Sequence, residues 1–119
     1  MSQEIHCKQM PGYLCVVAFG EWTDELTVKV LEKTKAESDR LGCTCILLDL
    51  RGLTPPKSEM VRFNGGVMLA KIFPPTTKLA SLAKAEYMTR FGETVAINRG
   101  AWFCVFSDEA KAIEWLLAK

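Results

Sequence analysis

Asp49, Arg51, Lys57 and Ser58 place a carboxylate, a guanidinium, an ammonium and a hydroxyl within ten positions of one another. Pro55-Pro56 stiffens the stretch between them. A helix that starts at Ser58 would offer unpaired N–H groups to an anion. With Arg51 and Lys57 alongside, that start could hold a phosphate or a carboxylate. The plain alternative is that Asp49 pairs with Arg51 and the prolines only rigidify a turn. Other reactive residues assemble less well. His6 is the only histidine and neighbours Cys7, but adjacent strand residues point to opposite faces. Only a partner across a hairpin, such as Cys15, could reach it; a surface or rim histidine is the plain reading. No G-x-S-x-G and no phosphate-loop pattern occurs. Of the acids near strand exits, Asp108 and Glu109 are accounted for as helix-start residues, which leaves Asp49 alone. Cys43 and Cys45 would share a face if both lay in a strand, where they could contribute to a metal site or be small buried hydrophobes. The sequence therefore predicts no enzyme, no cofactor and no metal.

The chain has 119 residues, enough for one domain with a core. Hydrophobic residues make up 49% and charged residues 24%, which excludes disorder by composition. Fifteen basic and 14 acidic residues leave a net charge of +1, so charge gives no reason to expect nucleic acid or an anionic membrane surface. The start, Met1-Ser2-Gln3-Glu4, is polar and lacks a basic lead into an apolar stretch. No apolar run reaches the 18 or so residues of a spanning helix. Five cysteines, an odd number, argue against a disulfide framework. Together these features predict a cytoplasmic protein with no transmembrane segment.

The elements that must position the residues of interest follow from pattern. Pro11-Gly12 separates two candidate strands, 4–10 and 12–20. Thr23 reads as a helix cap, followed by Asp24-Glu25 at the positive end of the helix dipole, with Gly42 as the stop. Residues 43–50 read as a strand covered on both faces, because Ile46, Leu47 and Leu48 leave no polar side. Arg51 to Lys57 reads as a loop. Ser58 then caps a helix over 59–73, stopped by Pro74-Pro75. That helix is unusually apolar and holds Gly65-Gly66 near its middle. A short strand is expected at 78–82, a helix at 86–97 and a strand at 101–106. Ser107 is expected to cap the last helix. Such alternation implies a mainly parallel sheet flanked by helices, and the hairpin makes it mixed.

Four consecutive strand–helix units on so short a chain resemble the STAS domain, and specifically its divergent SpoIIAA-like branch. Three segments carry the resemblance. They are Gly20-Glu21-Trp22-Thr23-Asp24-Glu25, Asp49-Leu50-Arg51-Gly52, and Phe106-Ser107-Asp108-Glu109-Ala110 with Trp115-Leu116. The resemblance implies a single α/β domain over 1–119, with a mixed, mostly parallel sheet of about five strands in the order β-β-α-β-α-β-α-β-α and four flanking helices. Regulatory members of that family carry a phosphorylated serine directly after the aspartate that ends this strand. Here Leu50, Arg51 and Gly52 follow Asp49. Thr54 and Ser58 are the nearest hydroxyls and become the candidate phosphorylation positions.

The leading expectation is a non-enzymatic regulatory module that docks a protein partner. Its surface would comprise Asp49, Arg51, Gly52, Thr54, Lys57 and Ser58, with Phe63, Gly65 and Gly66 of the following helix. A homodimer through the 58–73 helix is a variant of the same idea, because large apolar patches mark interaction sites. The alternative is a small carrier or sensor of an apolar or lipid-like ligand. It rests on the glycine pair, which could let the apolar helix open a cleft, and on a broad similarity between SpoIIAA-like chains and CRAL-TRIO lipid-binding domains. Close packing of the glycines against the sheet or a neighbouring helix would explain them without any ligand.

Overall fold

The computed structural model describes residues 3–118. Two strands, β1 (Glu4–Met10) and β2 (Tyr13–Glu21), form the antiparallel hairpin, with Gly12 at φ 86° in the turn. Next come α1 (Asp24–Leu41), β3 (Cys45–Thr54), α2 (Glu59–Ile72) and β4 (Lys78–Leu82). A single 3-10 turn at Ala85–Tyr87 leads to α3 (Phe91–Asn98), β5 (Trp102–Phe106) and α4 (Glu109–Leu117). The strands lie in the order β1-β2-β3-β4-β5, and every pair after the hairpin is parallel.

Sequential parallel strands joined by right-handed crossovers must place all their connecting helices on one face. Accordingly α1, α2 and α3 share one face, over a core built on Leu14, Val16, Ile46, Leu48 and Leu79. The last helix has no following strand and folds onto the other face, where Leu47, Ala80 and Leu82 meet Ala112 and Leu116. The run Ile46-Leu47-Leu48 therefore has no polar side because each face of β3 has its own helix layer. On the α4 face the hairpin end is left bare, and Phe19 there is 41% exposed.

Local signals explain several boundaries. The Thr23 hydroxyl accepts from the Leu26 N–H at 3.1 Å, and Gly42 takes the left-handed conformation that ends α1. Phe73, just before Pro74, is extended, so α2 stops at Ile72, one residue short of expectation. Four expectations need correction. First, β3 continues through Arg51, Gly52 and Thr54, which are strand rather than loop residues. Its pairing with β2 absorbs one extra residue between Asp49 and Gly52 as a bulge. Second, the expected 86–97 helix is a 3-10 turn followed by a shorter α3 over 91–98. Third, Asp108 rather than Ser107 caps α4, accepting from the Lys111 N–H at 3.2 Å. Fourth, Cys43 precedes β3 and packs into the α1–α3 core while Cys45 packs beneath α4, so the two do not share a face.

The exposed edge at β5 is closed by a side chain. Glu93 of α3 accepts from the Val105 N–H at 2.6 Å and from Arg90 at 2.9 Å. A carboxylate thus serves an edge-strand donor that would otherwise be free to pair with another chain. At the opposite end of the sheet Lys78, buried in β4, donates to the Trp115 and Ala118 carbonyls and closes the carboxyl end of α4. Its ammonium sits 5.0 Å from the Trp102 ring centre and 4.7 Å from that of Trp115. Two tryptophans that look scattered in sequence are therefore gathered around one lysine.

Candidate functional site

The carboxyl end of β3 brings Asp49 and Arg51 to the α4 side of the sheet. Arg51 donates to both carboxylate oxygens of Asp49, at 2.9 and 2.8 Å, and its backbone N–H adds a bond at 3.2 Å. The same guanidinium reaches Glu109 at 2.7 Å. Burial alone would raise the Asp49 pKa, but the hydrogen bonds and charge of Arg51 outweigh it and hold the carboxyl below its usual value. The two carboxylates hold the Arg51 pKa well above its ordinary value. Asp49 and Arg51 are thus a structural pair.

Lys57 and Ser58 lie elsewhere. Lys57 is 90% exposed and approaches only Glu21, at 3.6 Å. Ser58 occupies the cap position of α2, but its hydroxyl makes no capping bond. The expected anion cradle of Arg51, Lys57 and Ser58 is therefore not assembled, because Arg51 turns toward α4 and α2 lies across the opposite face. Gly52 is constrained differently: a β-carbon there would sit 2.4 Å from the Phe19 ring, which lies across the bulge. Thr54 and Pro55 are exposed, as is the run Lys57, Ser58, Glu59 and Met60, with half-buried Pro56 between them and Met60 60% exposed.

The helix α2 lies between α1 and α3. Its Asn64 donates to Asp24 at 3.3 Å, and Phe63 meets Phe91 with ring centres 6.2 Å apart beneath the Arg99 guanidinium. Among its residues only Gly66 and Leu69 are buried. The two glycines differ. A β-carbon at Gly66 would be 2.7 Å from the Gly92 carbonyl and 3.1 Å from Val95, so α2 and α3 touch there backbone to backbone. A β-carbon at Gly65 would meet only the Thr27 methyl, at 3.4 Å. The expected alternative of close glycine packing holds for Gly66 alone.

Between α2 and the sheet lies a cavity of about 100 Å3. Leu26 and Val30 of α1, Leu48 of β3, Leu69 of α2 and Phe103 of β5 give it an almost wholly carbon lining. Its rim carries residues the sequence did not assign to a site: Trp22, Arg62 and Tyr87. Arg62 packs over the Trp22 ring at 5.4 Å, donates to the Tyr87 carbonyl at 3.1 Å and pairs with Glu59 at 2.9 Å. Its side chain is only 12% exposed. The same three residues border a smaller adjoining hollow that also touches Pro55 and Lys84. They come from three distant segments, so no spacing in the sequence joins them.

The remaining reactive groups are apart. His6 is exposed, 3.5 Å from Glu4, and pairs in register with Val17, whereas Cys15 faces Lys8. Burial raises the thiol pKa values of Cys7, Cys15 and Cys104. Among the described residues no group of His, Cys, Asp and Glu is arranged to hold a metal ion, and no helix is long and apolar enough to cross a membrane.

No protein-family profile matches the sequence, and no curated protein matches it significantly. The fold does have counterparts among solved structures. An anti-sigma factor antagonist from Mycobacterium paratuberculosis matches with a TM-score of 0.70 and 14% identity, over 98% of this chain and 96% of that one. An uncharacterized DUF3478-family protein with a SpoIIAA-like fold, from Shewanella loihica PV-4, matches with a TM-score of 0.58 and 20% identity, over 96% and 93%. The anti-sigma factor antagonist SpoIIAA in its unphosphorylated form matches with a TM-score of 0.55 and 13% identity, over 99% and 100%. The chain therefore has the STAS/SpoIIAA-like fold.

Proposed function

We propose that this chain is a non-enzymatic interaction module that docks a protein partner through the turn after β3 and the first turns of α2. The observation that carries this reading is the largely exposed stretch from Thr54 to Met60. It is stiffened by Pro55-Pro56, so little conformational freedom is lost on binding. It presents an apolar side chain, Met60, beside a cation held only loosely by Glu21. The complementary partner surface is an apolar pocket flanked by a carboxylate. Two of the three structures described above are anti-sigma factor antagonists, which favours a protein as the partner. The missing serine after Asp49 favours the divergent branch of the fold family.

On this reading Gly52, Thr54, Lys57 and Ser58 belong to the docking surface. Asp49 and Arg51 fix the strand end behind it, and Phe63, Gly65 and Gly66 set the position of α2. Phosphorylation at exposed Thr54 or Ser58 would add about −1.5 to −2 charges beside Lys57 and weaken docking to an acidic partner.

Photo-crosslinking tests the surface. A photoreactive side chain at position 60 should give one discrete protein adduct in cells of the protein's own source. The same group at Glu32, on the exposed face of α1, should not. A self-adduct at 60 alone would instead identify a second copy as the partner. Equal adducts from both positions, or none from 60, would overturn the docking surface.

A further inference from the structure

We infer that the cavity beneath α2 is a binding site for a linear carboxylate amphiphile. Its alkyl end enters the cavity and its carboxylate stays at the rim, near Arg62 and Lys84. Four observations lead there. The lining is almost wholly carbon, with side chains from α1, the sheet, α2 and the 87–89 segment. At about 100 Å3 the space is smaller than the roughly 150 Å3 apolar cavity known to take benzene, which suits a slim alkyl end better than a ring. Arg62, Trp22 and Tyr87 border both this space and the adjoining smaller hollow that reaches Lys84, so a chain running past them would pass from carbon to cation.

The fourth observation concerns charge at that rim. Arg62 and Lys84 are both cationic. Of the nearby carboxylates, Glu59 engages one Arg62 nitrogen, and Glu93 is held by Arg90 and the Val105 N–H. The second Arg62 nitrogen holds only the Tyr87 carbonyl, an interaction a ligand carboxylate can replace. That contact ties α2 to the 3-10 segment, so replacing it would also free the segment to move aside for entry. Gly65 lines the space without a side chain, and a β-carbon there would meet only the Thr27 methyl, at 3.4 Å.

The test uses octanoate and octanol below their micellar concentrations, followed by two-dimensional NMR and calorimetry. Octanoate should bind saturably, with nuclear Overhauser contacts from its terminal methyl to Leu26, Leu48 and Phe103. Octanol should bind more weakly. Lys84→Gln should cost octanoate about two- to fivefold in affinity and leave octanol unchanged. Gly65→Leu, which fills the space, should weaken both by at least about tenfold. If that variant fails to fold, the Overhauser contacts in the unsubstituted protein decide the location alone. Equal affinity for acid and alcohol, with Lys84→Gln silent, would overturn the carboxylate assignment. Absence of saturable binding, contacts outside the cavity, or a folded Gly65→Leu that binds normally would overturn the site. None of these outcomes depends on the docking surface.

Discussion

Arg51 holds two carboxylates with one guanidinium, Asp49 from its own strand and Glu109 from α4. Asp49 is largely shielded from solvent, so its loss is expected to be felt. Asp49→Asn should destabilise the protein by roughly 1 kcal/mol in urea unfolding at pH 7. The sign with pH follows from the lowered Asp49 pKa. Its contribution is fully present above the unfolded carboxyl value of about 3.9 and is lost as pH falls through the lower folded value. The gap between wild type and Asp49→Asn should therefore shrink over that acid range. A gap unchanged down to full protonation would show that the pair carries none of it. The raised thiol pKa values of Cys7, Cys15 and Cys104 predict slow reaction of these three cysteines with a thiol-specific reagent at pH 7, faster on unfolding. A local Asp49–Arg51 pair is readable two positions apart. Glu109 is not, because only the packing of α4 brings it there.

The element whose behaviour decides most is α2. Gly65 and Gly66 are adjacent in sequence and opposite in consequence. Gly66→Ala should destabilise by about 2 kcal/mol or more, because its β-carbon meets the Gly92 carbonyl, which belongs to the backbone and cannot turn aside. Gly65→Ala should be neutral or stabilising by up to about 1 kcal/mol, through helix propensity with only an ordinary methyl contact added. Thermal unfolding of the two variants checks both signs; equal effects would contradict the packing described. The apolar character of α2 is legible in the sequence, but its cause is not. Phe63 is absorbed by Phe91 and Arg99, Met68, Leu69 and Ile72 by the core, and Met60 is left exposed. Caps with local chemistry, such as Thr23 and Gly42, are readable. The 86–97 helix is misread because its apolar spacing continues through residues that the Arg62–Tyr87 contact and the Gly92 approach to α2 arrange instead.

At the scale of the whole molecule, the order of strands and helices nearly dictates the architecture. Right-handed crossovers in one direction force three helices onto one face and leave α4 to cover the other. The mixed, mostly parallel sheet flanked by helices is legible from alternation; the strand order that sorts the helices onto faces is not. The rim residues Trp22, Arg62 and Tyr87 come from just after β2, from α2 and from the segment after β4, the lining adds α1, β3 and β5, and only the assembled fold brings them together. The same assembly leaves the 54–60 stretch largely exposed at the carboxyl end of the sheet, where open α/β sheets tend to meet their ligands and partners. Native mass spectrometry of the protein taken from its own source, beside a Lys57→Glu/Met60→Asp double variant, tests that surface most directly. Wild type should carry a bound protein that the folded double variant loses. A wild type that is bare under gentle conditions, or a double variant that keeps the same partner undiminished, would contradict the docking role.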